Sequence, residues 1–202
     1  MANRKTVVLA SGNRGKLVEI SRILEEFGMT VVTQGQLGVE SVEETGVSFV
    51  ENALLKARHA AAVTGLPAIG DDSGLAVDAL DGAPGIYSAR YAGEGCNSDD
   101  NIDKLLLELQ GVPTDARHAR FHCAVVYVST ATDPEPLIAE GVWRGRILEA
   151  RRGAGGFGYD PIFLDTSCQR SAAELDAAEK DCRSHRGQAL RCLSELLRAR
   201  PA

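Results

Sequence analysis

The sequence is poor in the residues that staple a chain or hold a transition metal. Its five cysteines (Cys96, Cys123, Cys168, Cys182 and Cys192) are odd in number among 202 residues, never form a CxxC pair, and are joined by only four histidines. That excludes a disulfide framework and a zinc pattern, and reduced thiols are expected. Long apolar runs are missing too. The first, Val7-Val8-Leu9-Ala10, is too short for a signal-peptide core, and nothing approaches the ~20 apolar residues of a membrane helix. Positive charge is outweighed, 22 Lys and Arg against 28 Asp and Glu for a net −6, and aromatics are 5% of the chain. No basic stripe interleaved with aromatics is therefore available to coat DNA or RNA. The expectation is a cytoplasmic protein with neither a membrane nor a nucleic-acid polymer as partner. What is present is ordinary for a globular chain: 44% hydrophobic and 25% charged residues. The length suits one domain over residues 1–202, with room for two lobes, burying roughly 70% of its unfolded surface.

The pattern alternates strand and helix, then turns to strands. Thr6 to Ala10 reads as a strand, Ser11 to Gly15 as a turn, and Leu17, Ile20, Leu24 and Phe27 as one helical face stopped by Gly28. Val31-Val32 begins a second strand. Ser48 and Glu51 form a capping-box pattern at the head of an Ala/Leu-rich helix ending near Val63. Ala68 to Gly70 and Leu75 to Leu80 read as strands on either side of an expected turn, Asp71-Asp72-Ser73-Gly74. Ser98 to Leu109 reads as an amphipathic helix, and Phe121 to Ser129 with Leu137 to Leu148 as a hairpin. Ser171 is expected to cap a short helix to about Lys180, and Ser184 a final one. This is an α/β chain with a mixed sheet.

Four constellations offer chemistry, each beside a plain structural alternative: an ordinary βα turn, an Asp-rich turn, an exposed loop with a structural tyrosine, and a capped surface helix with incidental charges. Ser11-Gly12-Asn13-Arg14-Gly15-Lys16, between a strand and a helix, offers close backbone approach, free amides and a mobile cation to an anion, although it is no Walker motif. Asp71-Asp72-Ser73-Gly74 sets two carboxylates side by side, which repel unless a cation compensates. Magnesium suits such oxygens, usually one or two carboxylates completed by substrate phosphates and water. An acidic pair, Glu43-Glu44, can add a ligand or simply be solvated. Gly153 to Pro161 holds four glycines, then Phe157, Tyr159 and Asp160. It suits a flat ligand, with Phe157 stacking on a base and Asp160 accepting from a ring N–H. Ser184-His185-Arg186-Gly187, with Lys180 nearby, aims several donors at one place. His59, His118 and His122 lack partners at ligand spacing, Tyr87 and Tyr91 read as packing residues, and Trp143 as core or interface.

Taken in order, Ser11-Gly12-Asn13-x-x-Lys16, the Glu43 loop, Glu51-Asn52-Ala53, Lys56-Ala57, Asp71 to Leu75, Pro84 to Arg90, Phe157 to Pro161 and Ser184 to Gly187 resemble the inosine triphosphate pyrophosphatase family. The likeness is greatest to its bacterial dITP/XTP branch and covers essentially the whole chain; Ser11 stands where threonine is equally usual, and the segment around Cys96 falls where the family varies. The resemblance implies an elongated mixed sheet flanked by helices with a central substrate cleft, and a homodimer. It also implies magnesium-dependent hydrolysis of deaminated purine triphosphates to the monophosphate and pyrophosphate. By the same resemblance, Ser11, Gly12, Asn13, Arg14, Gly15 and Lys16 hold the triphosphate with support from Lys56. Glu43 and Asp72 bind Mg2+, and Asp72 is the general base. Ser73 touches substrate, while Phe157, Gly158, Tyr159, Asp160, Lys180, His185 and Arg186 hold the nucleotide. A carboxylate bound to magnesium is a weaker base, so Asp71 stays open for either role, and Glu44 for that of Glu43. A module that binds nucleotide without turnover, and a pyrophosphatase for other modified nucleotides, are the competing readings.

Overall fold

A computed structural model describes residues 5–12 and 14–200, the side chains of Arg14 and Glu19 excepted. Seven strands form one mixed sheet in the order β2-β1-β3-β4-β5-β6-β7. They are β1 (Lys5–Leu9), β2 (Met29–Thr33), β3 (Ala68–Val77), β4 (His118–Val128), β5 (Leu137–Ile147), β6 (Phe163–Asp165) and β7 (Arg170–Ser171). β1 pairs in parallel with β2 (Val7 opposite Val31) and with β3 (Val8 opposite Ala68), whereas β5-β6 and β6-β7 are antiparallel. Helices supply the parallel crossovers: α1 (Arg14–Glu25) joins β1 to β2, and α2 (Phe49–Thr64) lies between β2 and β3. The remaining helices are α3 (Ser98–Glu108), α4 (Ala177–Arg183) and α5 (His185–Ala199). The expected mixed α/β sheet is the sheet observed.

The chain forms two compact units. The first comprises the chain up to Asp72, Ala124–Glu140 and the chain from Ala189 onward. Its core sets the alanine face of α2 (Ala53, Ala57, Ala60, Ala61) on Val8, Ala68, Ala124 and Val126. Small side chains let helix and sheet approach closely, and at Gly70 they nearly touch. A Cβ there would fall 1.9 Å from the carbonyl oxygen of Ala53. The second unit comprises Ser73–Cys123 and Gly141–Gln188. Its core stacks Leu75, Ile102, Leu105 and Ile147 around Phe121, Trp143 and Phe163. The Phe121 ring centroid lies 4.5 Å from that of Phe163, and Trp143 lies 5.0 Å from Phe163. Trp143 is thus core, as expected, but Tyr87 is exposed rather than packed.

Two local expectations are corrected. Asp71 to Gly74 is no turn: β3 runs unbroken from Ala68 to Val77. Asp-Asp is a poor strand dipeptide, but here lysines neutralise both carboxylates, and strand alternation sends adjacent side chains to opposite faces. The repulsion that suggests a turn is removed by geometry. Ser171 caps only one 3-10 turn, Ala172–Glu174; Asp176 then caps α4, which continues past Lys180 to Arg183.

Candidate active site

In the first unit, the face of α2 towards β3 presents Asn52 and Lys56, one helical turn apart, to a single carboxylate. Lys56 Nζ donates to Asp72 Oδ1 at 2.7 Å, and Asn52 Nδ2 to Asp72 Oδ2 at 3.4 Å. Asp71, on the other face of the strand, forms an ion pair with Lys16. The two aspartates differ in access. The Asp71 side chain is completely buried, whereas that of Asp72 keeps 10% of its surface exposed. Burial, and after it the charge of Glu44, pushes the Asp72 carboxyl above the usual aspartate range, with Lys56 and Lys16 opposing the shift. Burial works against the Lys56 ammonium, but Asp72 and Glu44 more than compensate and its affinity for a proton is raised.

The acidic loop is pinned rather than free. Gln34 Nε2 donates to Ser41 Oγ at 2.9 Å, the Glu40 carbonyl lies 3.0 Å from His59 Nε2, and Gly46 N–H donates to Asn52 Oδ1 at 2.8 Å. Lys56 Nζ also donates to Glu44 Oε1 at 2.9 Å. Glu44 thereby joins Lys56 and Asp72, while Glu43 is exposed. Ser48 caps α2 through the Glu51 amide, and Glu51 reaches back to the Val47 amide rather than to Ser48.

The phosphate-binding candidates sit between β1 and α1. The Ala10 amide donates to the Ile69 carbonyl at 2.8 Å, holding the end of β1 beside β3. Ser11 is half-buried, Gly12 and Gly15 are exposed, and Lys16 lies in the first turn of α1. Asn13 lies outside the described residues, as does the side chain of Arg14.

In the second unit, Phe157 stands 48% exposed with Lys180 Nζ 4.7 Å and the Arg186 guanidinium 5.6 Å from its ring centroid. Asp160 shapes this loop: buried, it accepts the Phe157 amide at 2.8 Å and Lys180 Nζ at 2.5 Å. A side chain at Gly156 would strike Asp160 Oδ2 at 2.1 Å. Gly158 has a positive φ of 58°, which glycine adopts freely. Tyr159 is core, its hydroxyl donating to the Ser88 carbonyl at 2.9 Å. The buried His185 ring stacks on Phe121 at 4.7 Å, and Arg186 Nη2 donates to Ser73 Oγ at 3.5 Å. Ser184 Oγ caps α5 by accepting the Gly187 amide at 3.1 Å.

The chain as a whole is similar to a set of known proteins. Residues 7–196 match the model of the Ham1 family. The chain belongs to the Ham1 family. It is 57% identical over 192 residues to the dITP/XTP pyrophosphatase of Pectobacterium atrosepticum, and 59% identical to that of Shigella flexneri. Each alignment covers 95% of this chain and 98% of the relative. Among solved structures, a HAM1 protein from Coxiella burnetii superposes with a TM-score of 0.92 at 48% identity, covering 97% of this chain and all of that one. The Ham1 protein of Staphylococcus aureus gives 0.87 at 39% identity, covering 96% and 98%.

In this Ham1-family chain the donor set fits a magnesium ion better than a transition metal. Among the described residues, no group of three or more His, Cys, Asp or Glu side chains could hold a metal ion by itself. The oxygens of Asp72 and the Glu44 loop are hard ligands, few in number, which suits a cation completed by phosphates and water. The residue chemistry alone assigned no role to Asn52, Ser88 or Gly70. Asn52 is fully buried beside Asp72. Ser88 Oγ accepts the Leu75 amide at 2.8 Å and donates to the Gly85 carbonyl at 2.6 Å, tying Pro84 to Arg90 to β3. An asparagine one helical turn before Lys56, in Glu51-Asn52-Ala53, is the signal the sequence offers.

Proposed function

We propose that this chain hydrolyses deaminated purine nucleoside triphosphates (ITP, dITP and XTP) to the monophosphate and pyrophosphate with magnesium, keeping these bases out of DNA and RNA. The observation that carries the reading is the Asp72 carboxylate, deeply set yet accessible, held on one oxygen by Lys56 and on the other by Asn52. That placement suits a base that takes a proton from water attacking the α-phosphorus, and its raised proton affinity helps. Asp71, sealed against Lys16, has no comparable access. Lys16 and Lys56, with the amides of Ser11 to Gly15, Asn13 and Arg14 among them, would neutralise the triphosphate. Asp72 and a carboxylate of the acidic loop, Glu43 or Glu44, would hold magnesium, which when bound supplies positive charge for the polyphosphate.

By the family resemblance, Phe157, Lys180, His185 and Arg186 would hold the nucleoside. Phe157 offers a ring for stacking, while Lys180, His185 and Arg186 offer donors. A 6-oxygen accepts from such donors, whereas the 6-amino group of adenine leaves them unmatched. Ser73, next to Arg186, would touch substrate, and Gly158, Tyr159 and Asp160 would shape the loop. Homodimeric assembly and a cytoplasmic setting are part of the same proposal, on the family resemblance alone.

The test is purified protein with magnesium, given ITP, XTP, dITP, ATP, GTP and dTTP separately. Monophosphate and pyrophosphate from the first three, with little from the others, is the expected result. Diphosphate plus phosphate would place the attack at the γ-phosphorus and overturn the mechanism. Binding without turnover would favour a nucleotide-binding module.

A further inference from the structure

We propose that Asn52 is a positioning residue that couples the acidic loop to Asp72, so that the loop carboxylates and the base are set as one unit. The inference rests on the hydrolytic reading above. Asn52 is completely buried, and its amide is used at both ends. Oδ1 accepts the Gly46 amide at 2.8 Å, and Nδ2 donates to Asp72 Oδ2 at 3.4 Å. Only this orientation works: the reverse would aim an N–H at an N–H and a carbonyl at a carboxylate. The loop has been shaped to the contact from its own side. A Cβ at Gly46 would lie 2.6 Å from Asn52 Oδ1 and 2.7 Å from Glu51 Cβ, so the loop descends onto α2 only because residue 46 has no side chain. Asn52 sits on α2, whose backbone is held against β3 at Gly70. It therefore relays a rigid reference to a segment that otherwise has no regular structure. Lys56 makes the parallel link between Glu44 and Asp72 with charge-assisted hydrogen bonds, but from an ammonium on a flexible stem that can follow a displacement. A hydrogen-bonded amide fixes direction as well as distance.

The test uses Asn52→Ser, which is too short to span both partners, Gly46→Ala, which pushes on the same contact and on Glu51 Cβ while leaving Asp72 and Lys56 untouched, and the double variant. Each is assayed with dITP at saturating magnesium and followed by hydrogen exchange. Each single variant is expected to lose about a hundredfold in kcat while KM changes less than about threefold, because positioning and not substrate binding is lost. The double variant should be no worse than the weaker single, since one contact is broken twice. Exchange at the Gly46 amide should rise at least about tenfold in Asn52→Ser, with the amides of β1 and β3 unchanged. A kcat within threefold of wild type in Asn52→Ser, or unchanged exchange at Gly46, would overturn the proposal. So would a loss that tracks the unfolded fraction. If the wild type itself turns over no deaminated purine triphosphate, the functional reading falls, and the coupling is then judged by the exchange result alone.

Discussion

Lys56 Nζ lies 2.7 Å from Asp72 Oδ1 and bonds Glu44 with the same ammonium. One cation thus serves two carboxylates whose mutual repulsion raises the proton affinity of Asp72 on top of its burial. In protein free of divalent cations, the Asp72 carboxyl should titrate above the ordinary value of 3.8. Glu44→Gln removes a negative neighbour and should move that titration downward. Carbon-13 NMR of the side-chain carboxyls reads both. Asp72→Asn should lower kcat by about 10²–10⁴-fold with the fold intact by circular dichroism.

Phe157 is half exposed, so its loss should spare the fold. If its ring stacks on the base, Phe157→Ala should raise KM for ITP by about tenfold or more, in line with ~1–3 kcal/mol for stacking one base. Phe157→Trp should retain wild-type KM. An unchanged KM in the alanine variant would remove the ring from the substrate site.

Arg186 is buried at the start of α5 and donates to Ser73. Arg186→Ala is expected to narrow the preference for ITP over ATP, measured as the ratio of kcat/KM values. Equal loss on both substrates would make it a general anchor instead.

Gly70 is where α2 meets the sheet. Gly70→Ala puts a methyl 1.9 Å from the Ala53 carbonyl oxygen, so helix and strand must part. Overpacking of this kind costs ~1–3 kcal/mol. Because α2 carries both Asn52 and Lys56, activity should fall by more than the change in urea midpoint explains.

Asp133 anchors the turn between β4 and β5. It accepts the Ser129 amide at 2.8 Å, the Ser129 hydroxyl at 2.6 Å and the Glu135 amide at 3.0 Å. Burial resists its ionisation, but these bonds and Arg200 win, lowering its pKa from 3.8 to about 2. The folded state therefore releases this proton more readily than the unfolded chain. The stabilisation is present above pH 3.8 and is lost as pH falls towards about 2. Asp133→Asn should cost on the order of 2 kcal/mol at pH 7 and progressively less below pH 4, by urea unfolding at each pH.

Much of the site is legible in one dimension because its chemistry is carried by residue type at fixed spacing. Lys16 after a glycine turn, Asp71-Asp72 between apolar stretches, and Phe157 to Asp160 after a glycine run announce themselves, and together they mark the family. The helices are equally legible, since the period of Leu17, Ile20 and Leu24 and the Ser48 cap are local properties. What the linear pattern misjudged was local structure under long-range compensation. Asp71-Asp72 looks like a turn until Lys16 and Lys56, 55 and 16 residues away, neutralise it and make a strand tolerable. The strands β6 and β7, three and two residues long, are too short to show a period and exist only because β5 offers an edge. The roles of Asn52 and Gly46 were hidden for a related reason. Neither residue type is distinctive, and both acquire meaning only when α2, lying on Gly70, brings a buried amide between a loop and a carboxylate. Sequence determined which groups were available and which helices would carry them; tertiary packing decided which carboxylate faces which lysine, because that depends on contacts no local pattern contains.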